Sequence, residues 1–255
     1  IKKYYNSAKK TLYPLNRSLT GRGTKKTLLI IKKYFSRLKI KSINSGTKTF
    51  DWKIPKEWNV KDAFVLDKRN KKIIDFKKNN LHLVGYSTPL KKTVFKKEFL
   101  EHLHTLPNQK NAIPYVTSYY KKYWGFCDTD INKKLIEKKY KTKDKFLIFI
   151  NSKFNKNGKL NYGEFIIKGN SSRTILISTN ICHPSMANNE LSGPIVAMSL
   201  MNFFSKRKNK KTIKFIFIPE TIGAISFIKK EYEFLKKNLD GGYVLSCIGD
   251  EKKYS

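Results

Sequence analysis

The sequence predicts an α/β fold with a mostly parallel sheet, interrupted by a small β-rich domain. Three observations predict it. From about residue 168 the chain alternates strand, loop and helix: apolar runs at 174–179, 213–218 and 243–247 are separated by helical stretches at roughly 192–206 and 222–237. That alternation builds parallel βαβ units. Between about 50 and 165 the pattern is different, with short β-like runs, turn signals and many aromatic residues. Third, the loops after 174–179 and 213–218 carry a histidine and carboxylates, at the strand ends where a parallel sheet presents its ligands.

The elements follow in order. Residues 1 to about 40 read as helical, with Leu28, Ile31, Phe35 and Leu38 on one apolar face. The turn-rich connector Pro14-Leu15-Asn16-Arg17-Ser18-Leu19-Thr20-Gly21-Arg22-Gly23 precedes that face and places Thr24 near a helix cap. Residues 1–48 are expected to be the helical start of the main domain, 49–167 the inserted β-rich domain and 168–255 the main α/β domain. Within the insert the β-like runs are 63–66, 72–76, 81–86, 146–150 and 163–167, and Asn157-Gly158 reads as a hairpin turn. The aromatic cluster Tyr115, Tyr119, Tyr120, Tyr123, Trp124 and Phe126 fits either a binding wall or the core and rim of that domain.

Composition limits the function. With 255 residues, 40% of them apolar, the chain can build a substantial core. The formal net charge of +35 raises nucleic-acid binding. The excess is nearly all Lys scattered along the chain, and Arg occurs only at 17, 22, 37, 69, 173 and 207. A binding patch is localised and uses Arg forks, so specific nucleic-acid recognition is not expected, only salt-sensitive adhesion. No apolar run reaches the roughly 20 residues that span a bilayer, and Ile1-Lys2-Lys3-Tyr4-Tyr5 is not followed by the apolar stretch of a secretory signal. Cys127, Cys182 and Cys247 are odd in number and far apart. They form no disulfide framework and no Cys-x-x-Cys pair, which fits a reducing cytoplasm. Cys182 and Cys247 read as small buried apolar residues.

The chemistry concentrates in strand-end loops. His183 follows the run 174–179 and offers an imidazole suited to zinc, or else serves as a hydrogen-bonded loop histidine. Glu190 is either a carboxylate ligand or a partner for the dipole of the helix that follows. Glu220 follows 213–218, and its carboxylate either points into the same crevice as His183 or is an acid at a helix start. Asp250 is a further ligand at the same sheet edge or a solvated loop acid. His82, His102 and His104 lack an acidic partner pattern and read as structural.

Several strings resemble a bacterial and archaeal family of aminopeptidase-like domain proteins associated with polysaccharide biosynthesis. They are Pro14 to Gly21, Trp52-Lys53-Ile54-Pro55-Lys56-Glu57-Trp58, Pro114 to Tyr120, Trp124-Gly125-Phe126-Cys127, Ile181 to Asn188 with Leu191-Ser192-Gly193-Pro194, Pro219-Glu220-Thr221-Ile222-Gly223 and Cys247-Ile248-Gly249-Asp250. The resemblance covers nearly the whole chain. It implies a three-layer fold like that of zinc aminopeptidases, with an inserted β-rich domain, and it implies that this chain is an N-terminal portion of a longer protein. It also implies a zinc-dependent hydrolase acting on a peptide or an amide-bearing small molecule. In such a hydrolase Glu220 is catalytic, His183, Glu190 and Asp250 are metal ligands, and Asn189 and Thr221 line the substrate side. Similar di-zinc enzymes carry an Asp at the position of Asn189 and a Glu at that of Thr221, so one zinc ion is expected rather than two. The same two departures leave open a second reading, a peptidase-fold binding or scaffold protein linked to polysaccharide biosynthesis.

Overall fold

A computed structural model describes residues 1–250; the last residues of the predicted α/β domain, 251–255, lie outside the described residues. The chain forms two compact units. Residues 1–57 and those from 156 onward make the first, and 58–155 make the second.

The first unit opens with α1 (Lys2–Thr11) and α2 (Arg22–Tyr34). Gly21 precedes α2 with φ 104°, a backbone position that favours glycine. Thr24 is not the cap. It lies in the first turn, and its hydroxyl donates to the Ser18 carbonyl. Leu28 and Ile31 are buried as expected, but the helix ends at Tyr34 and Leu38 reaches the core from beyond it. The helical expectation to about residue 40 fails there: Lys39–Asn44 form the strand β1, carrying the β-branched Ile40 and Ile43. A short ribbon of β2 (Lys48–Thr49) and β3 (Trp52–Lys53) follows.

The second unit contains β4 (Glu57–Leu66), which starts one residue before it, β5 (Lys72–Asp75), β6 (Leu90–Phe95), α3 (Lys96–Glu101) and β7 (Leu103–His104). It closes with β8 (Phe126–Cys127), α4 (Asp130–Lys139) and β9 (Lys145–Asn155). Four of these strands form a sheet in the order β5-β4-β9-β6. Its core is aromatic: Tyr86 is fully buried, stacked on Trp58 at 5.5 Å and edge-on to Tyr119 at 5.2 Å. In the aromatic cluster, Phe126 belongs to this core, Tyr119 and Trp124 pack against it, and Tyr120 is exposed. The three histidines bond locally, His82 to the Cys127 carbonyl, His102 to the Trp124 carbonyl and His104 to the Tyr123 hydroxyl.

The chain returns to the first unit with β10 (Lys159–Ile167). This strand carries the run 163–167, which the sequence reading groups with the β-rich segment. It pairs antiparallel with β1 on one side and with a later strand on the other. Asn157-Gly158 therefore joins strands of different sheets and does not close a hairpin. Next come β11 (Ser171–Asn180), a π-helical turn (Asn188–Ser192), α5 (Gly193–Phe204), β12 (Lys211–Ile218), α6 (Ile222–Asn238) and β13 (Leu239–Leu245). The sheet runs β1-β10-β12-β11-β13. It is parallel across β12, β11 and β13 and antiparallel at β1 and β10, so the parallel part is confined to the strands that carry the candidate loops.

Side chains of β12 alternate between two faces. Ile213, Phe215 and Phe217 join Ala197, Met198 and Met201 of α5 and Leu28 and Ile31 of α2 in one core. Ile216 and Ile218 join Tyr162 and the α6 residues Phe227 and Leu235 in the other. Helices thus cover both faces, giving three layers. The connection after β11 passes over one face to β12, and the connection after β12 returns over the other face to β13. A crevice opens where such connections diverge at the carboxyl ends of neighbouring strands. No helix among the described residues is long and apolar enough to cross a membrane.

Candidate metal centre

The divergence between β11 and β12 sets the loops carrying His183 and Glu220 side by side. The His183 ring is nearly buried and lies between two carboxylates. Its Nε2 is 2.9 Å from Glu220 Oε1, and its Nδ1 is 3.2 Å from Glu190 Oε1. Asn189 Oδ1 is also 3.3 Å from Nδ1. Asn180, the last residue of β11, donates from Nδ2 to Glu220 Oε2 at 3.4 Å.

Glu190 reaches this position from the π-helical turn, whose wider winding occurs often at functional sites. It is fully buried, and its Oε2 has no hydrogen-bond partner. The turn can lie against the sheet because Gly193 starts α5 without a side chain: a Cβ there would fall 2.0 Å from the Leu245 carbonyl oxygen and 2.2 Å from Thr179 Oγ1. Backbone strain gathers in the same place. Ser185, Thr221 and Cys247, one in each loop after the three parallel strands, have φ of 49°, 53° and 52°. Such residues persist only where their surroundings hold them, and they cluster at functional sites.

The charges are coupled. Burial disfavours the imidazolium of His183, but the hydrogen bond to Glu220 and the charges of Glu190 and Glu220 outweigh it and raise its pKa. The bond from His183 holds the Glu220 carboxyl below its ordinary value, against burial. Burial pushes Glu190 up, opposed by His183 and Arg17. The ring thus faces a carboxylate from each of its nitrogens, a setting that favours positive charge.

Two buried residues complete the cluster, and sequence reasoning gave neither a role in the site. Cys182 Sγ lies 3.7 Å from Glu190 Oε1 and accepts the Glu220 main-chain N–H at 3.4 Å. Arg17, in the connector before α2, is almost fully buried; Nη1 reaches the Glu190 carbonyl at 3.4 Å, while Nε and Nη2 have no partner. A buried arginine is unusual unless paired, but nothing in the connector sequence marked it as buried. The other predicted residues lie further out. Asp250 accepts from Asn188 Nδ2 at 2.8 Å, and Asn188 Oδ1 receives the Gly249 N–H at 2.8 Å, so this acid ties the loop after β13 to the π-helical turn. Thr221 is exposed, and its side chain does not cap α6. Cys247, expected to be buried, is exposed.

Among the described residues, one group has the composition and spacing of a metal site: the ligand atoms of Cys182, His183 and Glu190 all lie within 4.8 Å of one another. Imidazole nitrogen, carboxylate oxygen and sulfur are the donors zinc takes. The unpartnered, fully buried Oε2 of Glu190 fits an incoming cation.

Comparison with known proteins gives the family and the fold. A family profile described as "Domain of unknown function (DUF4910)" matches residues 5–255. A Clostridium acetobutylicum protein, described as a candidate polysaccharide biosynthesis protein with an aminopeptidase-like domain, is 44% identical over 241 residues. The match covers 94% of this chain and 53% of that protein, so the chain spans about half the length of this relative. A crystal structure of a candidate peptidase from the same organism superposes with a TM-score of 0.91 at 42% identity, covering 98% of this chain and 57% of the other. The zinc aminopeptidase of Bacillus subtilis superposes with a TM-score of 0.61 at 13% identity, over 96% of this chain and 69% of that one. An M28 peptidase precursor from Shewanella amazonensis gives 0.57 at 9%, over 92% and 68%. These last two show a shared fold.

Proposed function

Since the chain belongs to the DUF4910 family and has the fold of the zinc aminopeptidases, we propose that it serves in a zinc-dependent hydrolase that cleaves a peptide or amide bond. One observation carries the proposal: the His183 ring bridges Glu190 and Glu220 at 3.2 and 2.9 Å, where the connections of two neighbouring parallel strands diverge.

His183 and Glu190 would hold the ion, with Asp250 anchoring the adjoining loop through Asn188. When bound, a zinc ion there supplies positive charge that polarises an amide carbonyl and makes water more acidic. Glu220 is partly open to solvent, with Oε1 fixed by His183 and Oε2 only weakly engaged by Asn180. Oε2 can therefore take a proton from an attacking water and deliver it to the leaving amine. Thr221 is exposed and Asn189 is half-buried beside His183; both would contact substrate. Both are neutral, which favours one ion over two, since no acidic bridge is available from either. A reducing cytoplasm is the compartment we assign, one in which the free Cys127, Cys182 and Cys247 remain thiols. The name of the C. acetobutylicum relative suggests a substrate from surface-polysaccharide assembly.

The test uses the full-length protein. It is expected to hold about one zinc per chain and to hydrolyse aminoacyl amides. Glu220→Gln is expected to lower kcat by about 100-fold or more with zinc content unchanged. Zinc-free protein without turnover would favour the binding or scaffold reading. Unchanged turnover in Glu220→Gln would remove the base.

A further inference from the structure

We propose that Cys182 binds the metal as a thiolate, making the centre a Cys182–His183–Glu190 site. The inference rests on the reading above that a zinc ion occupies this crevice, and it names a ligand that reading does not require.

Two of the three ligand separations have the dimensions of a tetrahedral shell, and the third, sulfur to nitrogen, is within 4.8 Å. Bonds of about 2.3 Å to sulfur and about 2.0–2.1 Å to nitrogen and oxygen place sulfur about 3.5 Å from each of the others and nitrogen about 3.3 Å from oxygen. In the protein, Cys182 Sγ is 3.7 Å from Glu190 Oε1, and that oxygen is 3.2 Å from His183 Nδ1. With Nδ1 turned to the ion, Nε2–H still donates to Glu220 Oε1 at 2.9 Å, the carboxylate–histidine arrangement that orients metal-binding rings. The proposed proton acceptor, Glu220 Oε2, stays available.

Without a metal, burial and the Glu190 charge push the Cys182 thiol well up, so the thiolate needs the cation itself, and two donors stand beside the sulfur. The Glu220 main-chain N–H points at it from 3.4 Å. The buried guanidinium of Arg17, with Nε and Nη2 unpartnered, is close enough to act on the charges of both Cys182 and Glu190. A dication and Arg17 together are balanced by the thiolate and the carboxylates of Glu190 and Glu220, whereas a neutral thiol leaves one positive charge uncompensated beside the buried Glu190. On binding, the S–H bond breaks, a sulfur–metal bond forms and the proton leaves to solvent. The other oxygen of that carboxylate, Oε2, is buried without a partner and would gain the cation as a neighbour.

Cobalt(II) replaces zinc in the full-length protein after chelation and reports thiolate ligands through a near-ultraviolet charge-transfer band. The band is expected in the wild type and in Cys127→Ser and Cys247→Ser, and it is expected to vanish in Cys182→Ser. Zinc X-ray absorption on the wild type, which needs no variant, is expected to show one sulfur neighbour at about 2.3 Å. Metal bound with no sulfur in its shell would overturn the Cys182 inference and leave the hydrolase reading standing. A band lost in Cys247→Ser instead would move the sulfur to that residue and overturn the inference. Failure to bind either metal would overturn both.

Discussion

Thr221 combines a β-branched side chain with φ 53° and ψ −96°, and its side chain makes no cap on the helix it precedes. A residue held this way stores about 1–3 kcal/mol, while glycine adopts such a backbone freely at an entropic cost of about 0.5–1 kcal/mol. Thr221→Gly is therefore expected to raise stability by about 1 kcal/mol, read as an increased urea midpoint at constant slope. A lower midpoint would mean that the strain is absent. The same scale shows which candidates the sequence could offer. His183, Glu190 and Glu220 were legible because each stands in a loop directly after, or soon after, an apolar run. Arg17 and Cys182 were not. A lone cysteine without a paired partner and an arginine in a turn-rich connector look the same whether they are exposed or buried, and only packing separates the cases.

At the scale of elements, β12 carries a lysine on the face covered by α6. Lys214 is buried, with Nζ 2.9 Å from Glu164 Oε2 on β10 and 2.7 Å from Glu231 Oε2 on α6. Lys41 of β1 adds a contact to Glu164 at 2.7 Å. Burial alone would raise the Glu164 carboxyl, but Lys41 and Lys214 outweigh it and hold it below its ordinary value. A carboxyl lowered in the folded state contributes stability that is present above the unfolded value of about 4.3. That contribution is lost as pH falls through the lower folded value. Stability is expected to drop between about pH 5 and pH 3, and the drop is expected to be shallower in Glu164→Gln, measured by denaturant titration across that range. Equal slopes in the two proteins would exclude Glu164 as a source. The strands and helices of this unit were largely readable from apolar runs, and α6 follows the expected span closely. The exception, β1, was hidden because its short mixed run continues directly from an amphipathic helix. Its strand character comes from pairing with β10, which lies more than 100 residues away in sequence.

At the scale of the molecule, each unit has its own core. Phe146 is fully buried in the second, against Phe99 at 4.8 Å and Tyr140 at 5.0 Å. Phe146→Ala is expected to cost that unit about 3–5 kcal/mol. Hydrogen exchange would rise in β4, β6 and β9 while β10, β11 and β12 keep their protection. A uniform rise would mean that the two units open as one. The sequence by itself determined the strand–loop–helix rhythm, the β-rich middle segment and the residue types at the ends of two strands, because periodicity and loop chemistry are local properties. Tertiary structure alone decided that β10 joins the main sheet, that the connections after β11 and β12 cover opposite faces, and that His183 therefore meets Glu190 and Glu220 while Cys182 and Arg17 close on Glu190. Those outcomes depend on strand order and close packing between segments far apart in the chain, which no local pattern encodes.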